Sequence, residues 1–355
     1  MKELKKINTI GIIGGGQLGM FLCLSAKKFN KRVHVYSDQE ECSAKNYCDE
    51  FFFGELKDYD SIEKFTKTVD IVTVETENIP QKTLDIIENY KKLTPSINAI
   101  KIAQNRLKEK KFINSLNNIK TTEFTTLASF DDLLKAYDIF EKKVIIKSTE
   151  FGYDGKNQYR INSENLHSFK SFDFKNFIAE KVVDFVKEIS VISCIDRFGN
   201  IEVFPPVENV HENSMLRNTK YPATLTEDIK TQAINYAITI TKELSVIGIL
   251  ATEMFVLNND SILINEIAPR PHNSGHWTLD CCDINQFDNV ILAITNSKIR
   301  RPNVLSGGLM INVIGEEYKE KKSIEKKYKF YDYFKKSIKP MRKMGHYTIL
   351  KKLTS

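Results

Sequence analysis

None of the six cysteines, at 23, 42, 48, 194, 281 and 282, makes a Cys-x-x-Cys pair or a metal-ligand spacing, so all six read as free thiols. Windows of ~18 uninterrupted apolar residues are missing too, which excludes a membrane-spanning helix. The N-terminal MKELKKINTIGIIGGG runs from a charged lead into a short apolar strand, without the apolar h-region of a cleavable leader. A soluble cytoplasmic protein with no membrane partner is the expectation. Charge of a single sign is also lacking: 52 basic and 46 acidic residues are interleaved, for a net charge of +6. Residues 318–329 (YKEKKSIEKKYK) therefore read as a solvated surface, not as a nucleic-acid arm. The small positive excess suits an anionic, phosphate-bearing ligand. No internal repeat and no low-complexity linker is evident.

What is present is a long, well-patterned chain. Its 355 residues, 41% of them hydrophobic, suffice for two or three packed modules. The first hundred alternate strand and helix: an apolar strand at 9–13, helical periodicity over 17–30 through Leu18, Phe21, Leu22 and Ala26, and strands at 32–36 (RVHVY) and 70–75 (DIVTVE). This is βαβ order, hence a parallel sheet. Leu93-Thr94-Pro95-Ser96 reads as a boundary, followed by a Lys-rich helix from 97 to about 116. From residue 143 the texture is β-rich, with a periodic helix at 228–244, strands at 249–257 and 262–267, and a small β module in the last sixty residues. The modules are predicted as 1–96, 97–296 with a lid at about 117–178, and 297–355.

Gly14, Gly16 and Gly19 follow a strand, open a helix and fit a GxGxxG spacing, with Asp38 at the end of the next strand. Taken alone, this pattern predicts a dinucleotide. Its physical content is narrower, because amide N–H groups at a helix N-terminus approach any anion. Gln17 places an amide at the mouth. Glu75 and Asn78, at the carboxyl end of a parallel strand, face the crevice where ligands of such sheets bind. Alternatively, Glu77 and Asn78 cap the helix that begins at Ile79-Pro80.

The second half carries the charged groups of a nucleotide site. Lys147 projects from VIIKS, and a buried lysine needs a partner such as phosphate. Residues 152–158 (GYDGKNQ) read as a phosphate-covering loop with two glycines for flexibility, or as a plain hairpin around Asp-Gly. Glu180 to Val183 and Glu188 follow a strand, where adenine and ribose can be held. The turn at Asn258-Asn259-Asp260 pairs residue 253 with 265 or 266 across antiparallel strands. Either two carboxylates, Glu253 and Glu266, or the Glu253 carboxylate and the Asn265 amide then lie side by side; two like charges there are a conflict that a divalent cation relieves, and oxygen ligands beside phosphate suit Mg²⁺. The segment NEIAPRPHNSGHW, 265–277, places acidic, basic, amide and imidazole groups directly behind an apolar strand.

Taken in order, IGIIGGGQLGM, ETENIP, QNRLKEK, FGYDGKNQ, ENVHENS, NEIAPRPHNSGHW and RKMGHYT resemble the ATP-grasp superfamily, and within it the N5-carboxyaminoimidazole ribonucleotide synthetases. The resemblance implies an ATP-grasp fold of mixed α/β and α+β character, with an N-terminal Rossmann-like parallel-sheet domain and a small C-terminal β domain. It implies a homodimeric ligase of purine biosynthesis, using ATP, bicarbonate, aminoimidazole ribonucleotide and Mg²⁺, with Mn²⁺ as an alternative ion.

By the same resemblance, Arg106, Lys147, Gly152, Tyr153, Asp154, Gly155, Lys156, Asn157 and Gln158 take the phosphates of ATP. Glu180, Lys181, Val182, Val183 and Glu188 hold adenine and ribose; His211, Asn265 and Glu266 complete the pocket, and Glu253 and Glu266 bind the metal. The ribonucleotide lies against Gln17, Glu75, Asn78, Tyr153, Asp154, His272, Asn273, Ser274 and Lys343. Asp154, Lys156 and Arg270 are the catalytic set, with Asp154 the candidate acceptor of the amine proton. Asn157 stands where the family has a third glycine, Glu212 where a basic residue is expected after His211, and the chain ends soon after RKMGHYT. Competing readings are a formate-using relative, an NAD(P)-linked oxidoreductase and an idle nucleotide-binding protein.

Overall fold

The computed structural model describes residues 6–150 and 157–353. The N-terminal region forms a five-stranded, all-parallel sheet from β1 (Thr9–Ile13), β2 (Arg32–Ser37), β3 (Glu50–Phe53), β4 (Ile71–Val74) and β5 (Leu93–Thr94), in the order β3-β2-β1-β4-β5. Helices α1 (Gln17–Lys28), α2 (Tyr59–Lys67) and α3 (Gln81–Tyr90) connect its strands. The strand β3 was not expected, since its EFFF pattern is half-exposed and short. The single helix predicted over 97–116 is two: α4 (Ile97–Ala103) and α5 (Arg106–Ser115). Asn105 divides them by accepting from the Lys108 N–H at 3.0 Å, a cap of the kind that contributes about 1 kcal/mol. The break puts Arg106 at the start of a helix, where it faces the adjoining cleft.

A four-stranded antiparallel lid follows, built from β6 (Phe124–Leu127), α6 (Phe130–Ile139), β7 (Val144–Ser148), β8 (Gln158–Ile161) and β9 (Phe177–Lys181), ordered β6-β9-β7-β8. Its last strand runs to Lys181, three residues past the expected lid boundary at 178, because Glu180 and Lys181 still pair with β7. The rest of the chain is organised on one eight-stranded sheet. Its strands are β10 (Phe185–Ile195), β11 (Ile201–Glu212), β12 (Met215–Tyr221), β13 (Gly248–Leu257), β14 (Ile262–Ala268), β15 (Gly307–Ile314), β16 (Phe330–Asp332) and β17 (Lys343–Lys351).

The strands run in the order β14-β13-β10-β11-β12-β15-β17-β16. The C-terminal strands make no sheet of their own, because β15 pairs antiparallel with β12 and so extends the central sheet. Helix α7 (Glu227–Glu243) packs on one face of that sheet; α8 (Thr278–Cys281) and α9 (Gln286–Ile294) follow β14, and α10 (Lys321–Glu325) precedes β16. The N-terminal region is joined to this body through α1 and α9: Phe21 lies 5.1 Å from Phe287 between ring centroids, and Asp288 accepts from Ser25 and Lys28 at 2.9 and 2.6 Å. Among the described residues, no helix is long and apolar enough to cross a membrane.

Candidate active site

The three sheets converge on one cleft of about 790 Å³. The parallel sheet contributes the glycine loop and the end of β4. Glu75, just past β4, accepts hydrogen bonds from the Gly16 N–H and, at 2.6 Å, from the Gly19 N–H. These are amides of the N-terminal turn of α1, which has no side-chain cap of its own. A carboxylate from within the chain therefore occupies the place where a dinucleotide phosphate binds in a Rossmann loop. The glycines are needed for that approach: a Cβ at Gly14, whose φ is +108°, meets Glu75 Cγ at 2.3 Å, and one at Gly16 meets Glu75 Oε1 at 2.7 Å. Burial raises the pKa of Glu75, and the two amides act in the opposite direction. Gln17, Asp38 and Asn78 line the same wall.

The capping reading of ETEN does not hold. Helix α3 starts after Pro80 without any side-chain cap, and the Asn78 N–H bonds to Thr76 Oγ1. Glu77 turns instead toward Arg270, whose Nη2 lies 3.0 Å from Oε1 while its Nε donates to Oε2. Burial works against the charge of Arg270, yet Glu77 outweighs it and raises the guanidinium pKa further. Gln104 supports the turn from beneath by donating to the carbonyls of Glu77 and Ile79.

The lid wall carries Lys147, Gln158, Glu180, Lys181, Val182 and Val183. Lys147 has the partner that a buried lysine needs within the protein itself: its Nζ lies 2.8 Å from Glu180 Oε2. Glu180 is only 2% exposed and is also approached by Lys110 Nζ at 3.4 Å. Its burial disfavours the charge, but the two ammonium groups override this and hold the carboxyl at about 2. Asn157 leaves the lid loop at φ +55°, a left-handed conformation that asparagine tolerates, which accounts for its standing in a glycine position. It does not line the cleft; its carbonyl accepts from the Ser148 N–H at 3.1 Å. Gly152, Tyr153, Asp154, Gly155 and Lys156 lie outside the described residues.

The large sheet supplies the floor. Glu253 pairs with Glu266 across β13 and β14, the second of the two partners that the hairpin arithmetic allows, because a β-bulge between Glu253 and Met254 shifts the register by one residue. Burial and then Glu266 push Glu253 up to about 7. Arg106 Nη1 lies 3.5 Å from Glu266 Oε2, and Glu109, on the same helix, accepts from the Ile267 N–H at 2.6 Å. His211 Nδ1 is 2.5 Å from Glu188 Oε2; burial lowers the imidazole pKa, but this bond and the neighbouring carboxylates raise it overall. Asn265, His272, Asn273 and Lys343 complete the floor, and Phe185 stacks on Phe255 at the rim with centroids 4.6 Å apart.

Ser274 departs from expectation. It is fully buried and its hydroxyl meets Ser190 and His272, so it supports the cleft wall from behind and does not line it. The last two residues of the motif are also core: His276 is buried, and Trp277 stacks on Tyr221 at 4.7 Å. Sequence reasoning missed Glu77 as a partner of Arg270, together with Glu109, Lys110 and the Phe185–Phe255 pair. For Lys110 the signal was available, as its helix carries the site residue Arg106 one turn earlier.

A lid over a carboxylate-bearing sheet, joined to a parallel-sheet domain through one polar cleft, defines an ATP-grasp ligase. Residues 7–104 match the ribonucleotide synthetase preATP-grasp domain, 112–287 the ATP-grasp domain, and 308–354 the phosphoribosylaminoimidazole carboxylase C-terminal domain. The chain is 34% identical over 348 residues to the N5-carboxyaminoimidazole ribonucleotide synthase of Bacillus subtilis (strain 168), covering 97% of this chain and 91% of that one. It belongs to the N5-carboxyaminoimidazole ribonucleotide synthase family. A crystal structure of the ADP complex of an N5-carboxyaminoimidazole ribonucleotide synthetase superposes with a TM-score of 0.93 at 34% identity, over 98% of this chain and 94% of that one. The Aspergillus clavatus enzyme in complex with ADP and 5-aminoimidazole ribonucleotide gives 0.88 at 28% identity, over 97% and 94%.

Proposed function

We propose that the enzyme carboxylates 5-aminoimidazole ribonucleotide on its exocyclic amine, using ATP and bicarbonate. The observation that carries this reading is the position of Arg270: it lies in the one cleft shared by the Lys147–Glu180 wall and the glycine-loop wall. ATP lies along the first wall, with its phosphates toward Arg106 and Lys147 and its base and ribose at 181–183, Glu188 and His211. The ribonucleotide lies along the second, against Gln17, Glu75, Asn78, His272, Asn273 and Lys343.

Bicarbonate oxygen attacks the γ-phosphorus, the bond to the β-phosphate oxygen breaks, and ADP leaves with carboxyphosphate formed. Carboxyphosphate then splits into CO₂ and phosphate. The amine nitrogen bonds to the carbon of CO₂ and loses a proton, giving the N5-carbamate. Arg106, Lys147 and Arg270 provide fixed cationic groups for charge that develops on the phosphoryl oxygens. The loop at 152–158 is read as the cover that keeps water from the labile intermediate, with Lys156 adding charge and Asp154 accepting the amine proton.

Two facing carboxylates, one with a raised pKa, suit a divalent cation. Among the described residues no set of three or more His, Cys, Asp or Glu side chains could hold a metal by itself. Glu253 and Glu266 would hold Mg²⁺ or Mn²⁺ through hard carboxylate oxygens beside the phosphates of ATP. Such an ion supplies charge neutralisation to the phosphates. The family resemblance further supports a cytoplasmic homodimer, for which light scattering and cell fractionation are the checks. Phosphate release by purified protein tests the activity: it must depend on both the ribonucleotide and bicarbonate. ADP formed only with formate and glycinamide ribonucleotide moves the assignment to the formate-using relatives.

A further inference from the structure

We propose that His272 serves as a fixed hydrogen-bond donor to an oxygen of the bound ribonucleotide, held in its Nε2–H tautomer by a buried relay through Ser274, Ser190, Asn209 and Thr219. The ligand in this statement rests on the proposed function; the tautomer does not. On this assignment His272 is not the group that takes the proton of the amine.

The tautomer follows from which atoms are able to donate. The backbone N–H of Ser274 points at His272 Nδ1 from 3.3 Å, and an amide N–H has only a hydrogen to offer. Nδ1 must therefore present its lone pair, which leaves the ring hydrogen on Nε2. Ser274 Oγ lies 2.8 Å from the same nitrogen. Behind it each donor is spent on the next acceptor. Thr219 Oγ1 donates to Asn209 Oδ1 at 2.9 Å, Asn209 Nδ2 to Ser190 Oγ at 3.0 Å, and Ser190 Oγ to Ser274 Oγ at 2.8 Å. The hydroxyl hydrogen of Ser274 is then directed to Nδ1. All four relay residues are 4% exposed or less, so water does not compete for these bonds.

The backbone of His272 is fixed as firmly as its ring. Gln286, fully buried, accepts from the His272 N–H at 2.9 Å and donates to its carbonyl at 2.7 Å. Gly275 makes room for this clamp, since a Cβ there meets Gln286 Oε1 at 2.5 Å. The relay also rises beside the carboxylates: Ser190 on β10 stands opposite Glu253 on β13. Nε2 lies 3.6 Å from Glu253 Oε1, and Arg270 and Lys343 line the same cleft. This side of the cleft thus offers hydrogen-bond donors, which suits the oxygens of a ribonucleotide and leaves the amine proton to another group. Ser190, Ser274 and Asn209 are positioning residues, acting through the ring.

The test records long-range proton–nitrogen correlations of the substrate-free protein labelled with ¹⁵N-histidine. We expect His272 Nδ1 to resonate as a bare nitrogen and Nε2 as a protonated one; a hydrogen on Nδ1, or on both nitrogens at neutral pH, overturns the proposal. In steady-state assays Ser190→Ala should lower kcat/KM for the ribonucleotide roughly tenfold and shift the His272 resonances, as loss of such an outer partner commonly does. His272→Gln, which can return an N–H near Nε2, should retain at least about tenfold more activity than His272→Ala. Equal activity of the two variants overturns the donor role. A wild-type enzyme that turns over without bicarbonate overturns the functional reading alone, because the resonances are recorded without substrate.

Discussion

Glu77 and Arg270, 193 positions apart, meet in a forked ion pair that ties the loop after β4 to the loop after β14. Each side chain is less than one-fifth exposed, at 18% and 19%. The fork holds the guanidinium plane in one orientation, and Nη1 adds a bond to the Pro271 carbonyl at 3.3 Å.

Breaking that fork should harm both stability and turnover. Glu77→Ala leaves a largely buried guanidinium without its counter-charge, at a cost of about 3 kcal/mol. Urea denaturation measures this. Arg270→Lys keeps the charge but not the planar fork, and its kcat should fall more than its denaturation midpoint. If Arg270→Lys matched wild type in kcat, the orientation argument would be wrong.

Glu75 fills the glycine loop, so the wild-type protein should give no heat on calorimetric titration with NAD(P)H. Replacing Glu75 by Ala leaves the Gly16 and Gly19 amides without their acceptor and should destabilise the fold by about 1–3 kcal/mol. Added phosphate should recover part of that loss in a thermal-shift assay, because an anion can take the vacated place at the helix N-terminus. Recovery of the same size in wild type would count against this account.

Lys110 never reaches the cleft, yet it shares Glu180 with Lys147. In Lys110→Met the carboxylate keeps one ammonium, and Lys147 is drawn more strongly toward it and away from a phosphate. The KM for ATP should rise by about tenfold, with the KM for the ribonucleotide little changed, matching the loss of roughly 1.4 kcal/mol of binding. An equal rise in both constants points to general unfolding.

Glu109 sets a pH dependence of stability. Burial, and after it the charge of Glu266, raise its carboxyl from 4.5 to about 8. A folded-state pKa above the unfolded one contributes stability that is complete below about 4.5 and is lost as pH rises through 8. Glu253, raised to about 7 by burial and Glu266, acts in the same direction. The denaturation midpoint of the ligand-free protein should therefore decline between pH 5 and pH 8.5 by this contribution. Glu109→Gln, which still accepts from the Ile267 N–H, should flatten the decline; an unaltered slope removes Glu109 from the explanation.

Much of the fold was legible because its signals are local. The alternation of strand and helix in the first hundred residues follows from hydrophobic period. The short turn narrows the partner of Glu253 to residue 265 or 266, and a β-bulge between Glu253 and Met254, which the sequence does not announce, selects Glu266. Lys147 could be placed on a buried strand because that signal, too, is local. The cut of one helix into α4 and α5 was harder, because Asn105 interrupts a run of good helix formers with a cap and not with Gly or Pro.

Local pattern thus determined the parallel sheet, the β13–β14 hairpin with its two carboxylates, and the presence of a polar segment behind β14. Tertiary structure alone decided that Glu75 fills the glycine loop, that Glu77 claims Arg270, that Glu180 serves two lysines, and that Ser274 turns inward. It also decided that β15 joins β12 and makes the C-terminal strands part of the central sheet. Each of these is a pairing between residues far apart in the chain, chosen by which buried charges and amides come close enough to satisfy one another. Hydrophobic period places a side chain on a face, but its partner across the cleft depends on how the separate sheets pack.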